Sequence, residues 1–100
     1  MRINLIIKRQ WFDEIRAGSK KKEYRDATER LTNQICTKDK NGEVDGFKPI
    51  TEILLLNGYN KNRPTMLVEC TGIEIEPGET ENHFQVFVFK VGKILKVENC

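Results

Sequence analysis

One hundred residues with no Pro/Gly/Ser-rich linker make one small domain, residues 1–100, and 38% hydrophobic against 32% charged residues suits a small fold with much surface. The net charge of +2 is uneven: residues 1–35 carry nine Lys/Arg and five Asp/Glu, a balance of +4, whereas residues 66–100 carry three and six, a balance of −3. No apolar run is longer than the four residues Ile53 to Leu56, and Cys36, Cys70 and Cys100 are too widely spaced for a disulfide framework or a CxxC metal pair, so no membrane, no disulfide-linked partner and no metal is expected.

Met1 to Ile7 is a short apolar start followed at once by Lys8 and Arg9, without a small-residue cleavage site. It does not read as a signal peptide, and a reduced, cytoplasmic setting is expected. Ile3 to Ile7 is β-branched and aliphatic and reads as a buried strand. Arg9 to Ala17 predicts a helix with Trp11, Phe12 and Ile15 on one face and Asp13, Glu14 and Arg16 on the other. Gly18 stands where a helix C-cap takes a left-handed residue. Lys20 to Arg25 predicts a second strand, with Glu23 and Arg25 on one face and Lys22 and Tyr24 on the other, Tyr24 packing in the core. Strict alternation sets Lys20 opposite Glu23, so the two share a site only if Lys20 lies in the turn before the strand. Asp26 to Gln34, with Ala27, Leu31 and then Ile35 four residues apart, predicts a short helix with Asp26 as N-cap and Glu29 three residues on.

Lys38 to Lys48, rich in charge and with two glycines, predicts a mobile surface loop. Pro49 opens a third strand, Ile50 to Leu56, whose end is apolar on both faces, as in a central strand covered on both sides. Asn57 to Pro64 is a polar turn carrying Tyr59, Lys61 and Arg63. Thr65 to Glu76 is a fourth strand in which Met66, Val68 and Cys70 fall on one parity and Ile73 and Ile75 on the other. A bulge at Gly72 would keep both sets inward. Pro77-Gly78 turns into a fifth strand, His83 to Val91, apolar on both faces across Val86 to Phe89. Gly92 then turns into a short edge strand, Ile94 to Val97. The pattern predicts the α+β class: a small barrel, closed or nearly so, of about five to six strands with one or two short helices plugging its ends.

Charge crowds immediately after the first helix, where Lys20, Lys21, Lys22, Glu23 and Arg25 exceed what an ordinary core strand carries. The run Gly18-x-Lys20-x-x-Glu23-x-Arg25, preceded by Lys8, Trp11, Phe12 and Ile15, resembles the signature of the ASCH domain family of PUA-like β-barrels. Asn57-Gly58-Tyr59, with Pro64, Met66, Glu69 and Gly72-Ile73, resembles the small phage and bacterial branch of that family. The resemblance covers most of the chain outside residues 36–48. It departs at residues 26–31, where Ala27-Thr28-Glu29 replace the aromatic residues common before the Arg-Leu pair. It implies a PUA-like β-barrel whose cleft, lined by this segment, binds RNA or a nucleoside. For some relatives it implies an amidohydrolase acting on acetylated cytidine, or a ribonuclease. Their proposed machinery is the signature lysine, a threonine where Glu23 stands here, and a further glutamate. On that alternative Lys20 and Glu23 are the candidate catalytic residues and Glu69 the nearest second carboxylate.

Residue chemistry supports a nucleic-acid partner. Lys8, Lys20, Arg25, Lys61 and Arg63 offer cations for phosphate, Tyr59 a stacking face, and Glu23 and Asn57 polar groups for base edges. The competing reading makes Glu23 and Arg25 a same-face ion pair and Tyr59 a cover for its hairpin. The expected partner is RNA, single-stranded nucleic acid or a modified nucleoside, held by Lys8, Lys20, Glu23, Arg25, Asn57, Tyr59 and Arg63. Arg25→Ala is then expected to weaken binding and leave the melting temperature nearly unchanged. His83, the only histidine, offers no triad or dyad, and no zinc spacing or glycine-rich phosphate loop is present, so no cofactor is expected.

Overall fold

The computed structural model describes residues 1–78 and 85–99. Its elements are β1 (Arg2–Ile6), α1 (Arg9–Ala17), β2 (Lys22–Asp26), α2 (Glu29–Ile35), β3 (Cys36–Lys38), β4 (Val44–Phe47), β5 (Glu52–Leu56), β6 (Thr65–Pro77) and β7 (Gln85–Glu98). They form a mixed sheet in the order β1-β5-β6-β7-β2 and a separate two-stranded sheet, β3-β4. β1 runs parallel to β5, and the other pairs in the large sheet are antiparallel.

Alternation in β1 fixes its orientation: Ile3 and Leu5 are buried while Arg2, Asn4 and Ile6 are exposed. The buried set joins Phe12 and Ile15 of α1, Ile35 of α2, Ile53 and Leu55, Met66 and Val68, and Phe87 and Phe89 in one core. Phe87, Val88 and Phe89 are all at most 2% exposed, as a strand covered on both faces requires. No helix among the described residues is long and apolar enough to cross a membrane.

Several sequence expectations are corrected. Trp11 is 38% exposed and does not share the core face of Phe12 and Ile15, because the turn of about 100° per residue carries it past the edge of their stripe. The N-cap of α2 is Thr28, whose Oγ1 accepts the Leu31 N–H at 3.2 Å. Asp26 still belongs to β2, and the Ala27 N–H donates to the Gln85 carbonyl at 3.0 Å, so the ladder delays the helix by two residues. The charged stretch 38–48 is no loose loop. It is largely the β3–β4 hairpin, whose turn is held by the Asp39 carboxylate accepting the N–H groups of Asn41 and Glu43 at 2.8 and 3.0 Å. Phe47 of that hairpin meets Phe87 edge-on, with centroids 6.1 Å apart.

Gly92 makes no turn, since β7 runs unbroken through it. A Cβ there would lie 2.9 Å from Thr71 Cγ2 and 3.2 Å from Glu69 Cβ, so the glycine answers to the close approach of β6. The β6–β7 register slips three times between Leu67 and Gly72, with Thr71 the unpaired residue immediately before Gly72, close to the expected bulge. Ile73 packs against the core beyond it, but Ile75 is 44% exposed. β5 pairs with β6 only as far as Glu69, so the outer part of β6 is paired on one side alone among the described residues. His83 lies outside the described residues.

The fold is of the expected α+β class, two helices with a mixed five-stranded sheet and a two-stranded one, and among the described residues its end strands β1 and β2 exchange no ladder hydrogen bonds, so no closed barrel forms. The two edges of the large sheet are nevertheless joined by one side chain: Arg25 Nη2 of β2 donates to the Ile6 carbonyl of β1 at 2.6 Å.

Candidate functional site

The site grows out of the end of β1. The Ile7 N–H donates to the Leu56 carbonyl at 2.9 Å, so Ile7 faces β5, and its own carbonyl accepts Asn57 Nδ2 at 3.0 Å. By the two-residue alternation of a strand, the Ile6 carbonyl points the other way, out of the open edge, where Arg25 meets it. Arg25 and Asn57 thus satisfy consecutive carbonyls. Asn57 also donates its own N–H to Pro64 at 2.9 Å, and its amide nitrogen is engaged in holding the hairpin to β1.

Glu23 shares the inward face of β2 with Arg25, opposite Phe89, and is only 5% exposed. Its Oε1 accepts the Tyr24 N–H at 3.0 Å. Its Oε2 is shielded from solvent and has no hydrogen-bond partner among the described residues. The nearest cation, Arg25 Nη2, is 3.7 Å away, within ion-pair reach but beyond a hydrogen bond. An unmade hydrogen bond at a buried acceptor costs about 1–3 kcal/mol, more when the acceptor is charged.

Around this carboxylate lies a hollow of about 230 Å³. Ile6, Ile7 and Lys8 form one wall, Trp11 another, and Glu23, Tyr24 and Arg25 the third. Tyr24 was expected in the core but is 49% exposed, because it takes the face of β2 opposite Glu23. Lys20 precedes β2, which is the position a shared site demands: the αL cap at Gly18 (φ 83°) turns the chain, and the Lys20 N–H donates back to the Glu14 carbonyl at 3.1 Å. Its ammonium lies 5.1 Å from the Trp11 ring centroid and 5.3 Å from that of Tyr24, so it rests on two aromatic rings. Lys8 is the N-cap of α1 and makes no side-chain cap bond. A cation there opposes the helix dipole, and Ser, Thr, Asp or Asn would cap it better.

The hairpin residues are placed differently. Tyr59 is 83% exposed, and Arg63 lines a second groove together with Lys61. Glu69 is also elsewhere: its Oε1 accepts the Lys93 N–H at 3.0 Å and steadies the irregular stretch of β7. The structure therefore gathers Lys8, Glu23 and Arg25, brings Lys20 to their rim, and sets Asn57 just behind the wall. Sequence reasoning missed Trp11 and Tyr24 as site residues. Their signal was positional, since both are aromatic and both flank Lys20 within the charged segment.

Comparison with protein-family models, with curated proteins and with solved structures finds no match to this chain.

Proposed function

We propose that the hollow binds a nucleobase, presented by RNA, by single-stranded nucleic acid or by a modified nucleoside. One observation carries the reading: a buried carboxylate, Glu23, keeps an oxygen without a hydrogen-bond partner among the described residues, beside a small cavity that Lys8, Trp11 and Arg25 help to line. At about 230 Å³ the cavity is below the roughly 300–1,000 Å³ of pockets for drug-sized ligands, and suits one planar ring. An amino group of cytosine, adenine or guanine supplies the missing donor to Glu23, Trp11 offers a face for stacking, and Lys8 and Lys20 meet phosphate or ribose outside. Arg25, 28% exposed on its side chain, sits 3.7 Å from the unpartnered oxygen, so on this reading it must move aside for the base to enter. This reading agrees with what the resemblance to the ASCH signature implies. No lining residue adds a second carboxylate to Glu23, so binding rather than hydrolysis is carried forward.

Titration with cytidine, adenosine and uridine, followed residue by residue in amide NMR spectra, tests it. Shifts should concentrate at residues 6–8, 11, 20 and 23–25 and be weakest for uridine, which lacks an exocyclic amine. Equal response to all three, or shifts confined to other surfaces, would refute it.

A further inference from the structure

We infer that the ligand is a strand of nucleic acid and not a monomer, because a cation-rimmed groove continues the hollow; this rests on the reading of the hollow as a base site. The groove, of about 430 Å³, lies on the outer face of the sheet. Its floor is aliphatic, formed by Leu54 and Leu56 of β5 and Leu67 of β6. Its rim carries four cations, Arg2, Lys61, Arg63 and Lys96, against one carboxylate, Glu98. The apolar end of β5 is thus not fully covered on its outer side, as a central strand would demand: Leu54 is only half-buried.

Hollow and groove are neighbours. Ile6 of the hollow and Leu56 of the groove are register partners across the β1–β5 pair, and Asn57, next in the chain, is bonded to the Ile7 carbonyl. A strand whose base occupies the hollow therefore needs to cross only that one pair of residues to lay its next phosphates along the groove.

Two of the four cations are open to them and the other two are weakly held. Lys61 and Arg63 have no carboxylate partner among the described residues. Arg2 meets Glu52 at 3.4 Å and Lys96 meets Glu98 at 2.8 Å, but these pairs are 35–68% exposed and hold weakly against a phosphate. The turn bearing Arg63 is fixed by its backbone: its N–H donates to the Asn60 carbonyl at 3.1 Å and its carbonyl accepts Asn99 Nδ2 at 3.4 Å. An acidic peptide would also suit the aliphatic floor, but it gives no account of the adjoining hollow, and a nucleic-acid strand accounts for both.

Cytidine 5′-monophosphate and a hexacytidylate test the inference by fluorescence anisotropy and calorimetry on the intact chain. Linking a second set of contacts should make the hexanucleotide about 100-fold tighter or better. Its affinity should fall with a log–log salt slope near −2.8 if four phosphates are engaged, at about −0.7 each. Lys61→Ala with Arg63→Ala should flatten that slope by about 1.4 and leave the monophosphate unaffected. Lys61→Ala alone, at an exposed position, should remove about half of that change and guards against a folding defect. Monophosphate binding without gain for the hexanucleotide, or a gain that survives both substitutions, overturns the strand inference while the base site stands. A decapeptide of alternating Glu and Leu that binds the groove more tightly than the hexanucleotide also overturns it. Failure of both nucleotides to bind would instead remove the base site itself.

Discussion

Glu23→Gln separates a ligand-binding carboxylate from a structural one. At 3.7 Å from Arg25, the gross attraction of the two charges is about 4.5 kcal/mol for an effective dielectric near 20. Against this stands the desolvation of a side chain only 7% exposed, which costs several kcal/mol for a buried ion, together with an oxygen left without a hydrogen bond. The two nearly cancel. Glutamine keeps the acceptor for the Tyr24 N–H, removes the cost of the charge, and leaves Arg25 its bond to the Ile6 carbonyl and its access to water. Urea unfolding should therefore place the variant within about 1 kcal/mol of the parent, a shift of no more than roughly 4–8 °C in a domain of this size. Cytidine affinity should fall by about 1.5–3 kcal/mol, the worth of a hydrogen bond to a charged group, or about ten- to a hundredfold. A loss of about 3–5 kcal/mol in stability with unchanged cytidine affinity would refute this reasoning and make the pair purely structural.

Arg25→Ala should not be silent in melting, contrary to the sequence expectation: it takes away the cation beside the buried Glu23 carboxylate and should cost about 1–3 kcal/mol in urea unfolding. Lys8→Ser should do the opposite, stabilising the chain by about 0.5–2 kcal/mol through a proper N-cap while weakening nucleotide binding in the same preparation. Burial pushes the Cys36 and Cys70 thiols above their ordinary range. The unfolded chain then sheds those protons first, so stability present at neutral pH should decline as pH rises past about 8.5, and Cys70→Val should make the decline in urea midpoint shallower.

Local periodicity made the first half of the fold legible. The αL stop at Gly18, the inward alternation of Ile3 and Leu5, and the shared face of Glu23 and Arg25 all follow from residue spacing. What escaped depends on partners distant in sequence. The charges of residues 38–48 hid a hairpin whose apolar anchor, Phe47, acquires its meaning only against Phe87. Gly92 looked like a turn because the requirement for a missing side chain comes from Thr71 and Glu69, more than twenty residues earlier. Tyr24 was assigned to the core on hydrophobicity, although alternation from buried Glu23 already placed it outside. The division of the cations between a hollow and a groove was not legible, since it depends on the register of β1 against β5.

The outer part of β6, bonded on one side only among the described residues, has a bearing on how copies of this chain behave at high concentration. An unsatisfied row of backbone donors and acceptors invites a second molecule to extend the sheet. Here the row carries Glu74 and Glu76 and ends at Pro77, which has no N–H to give. An intruding copy in register would set like charges side by side and find its last rung missing.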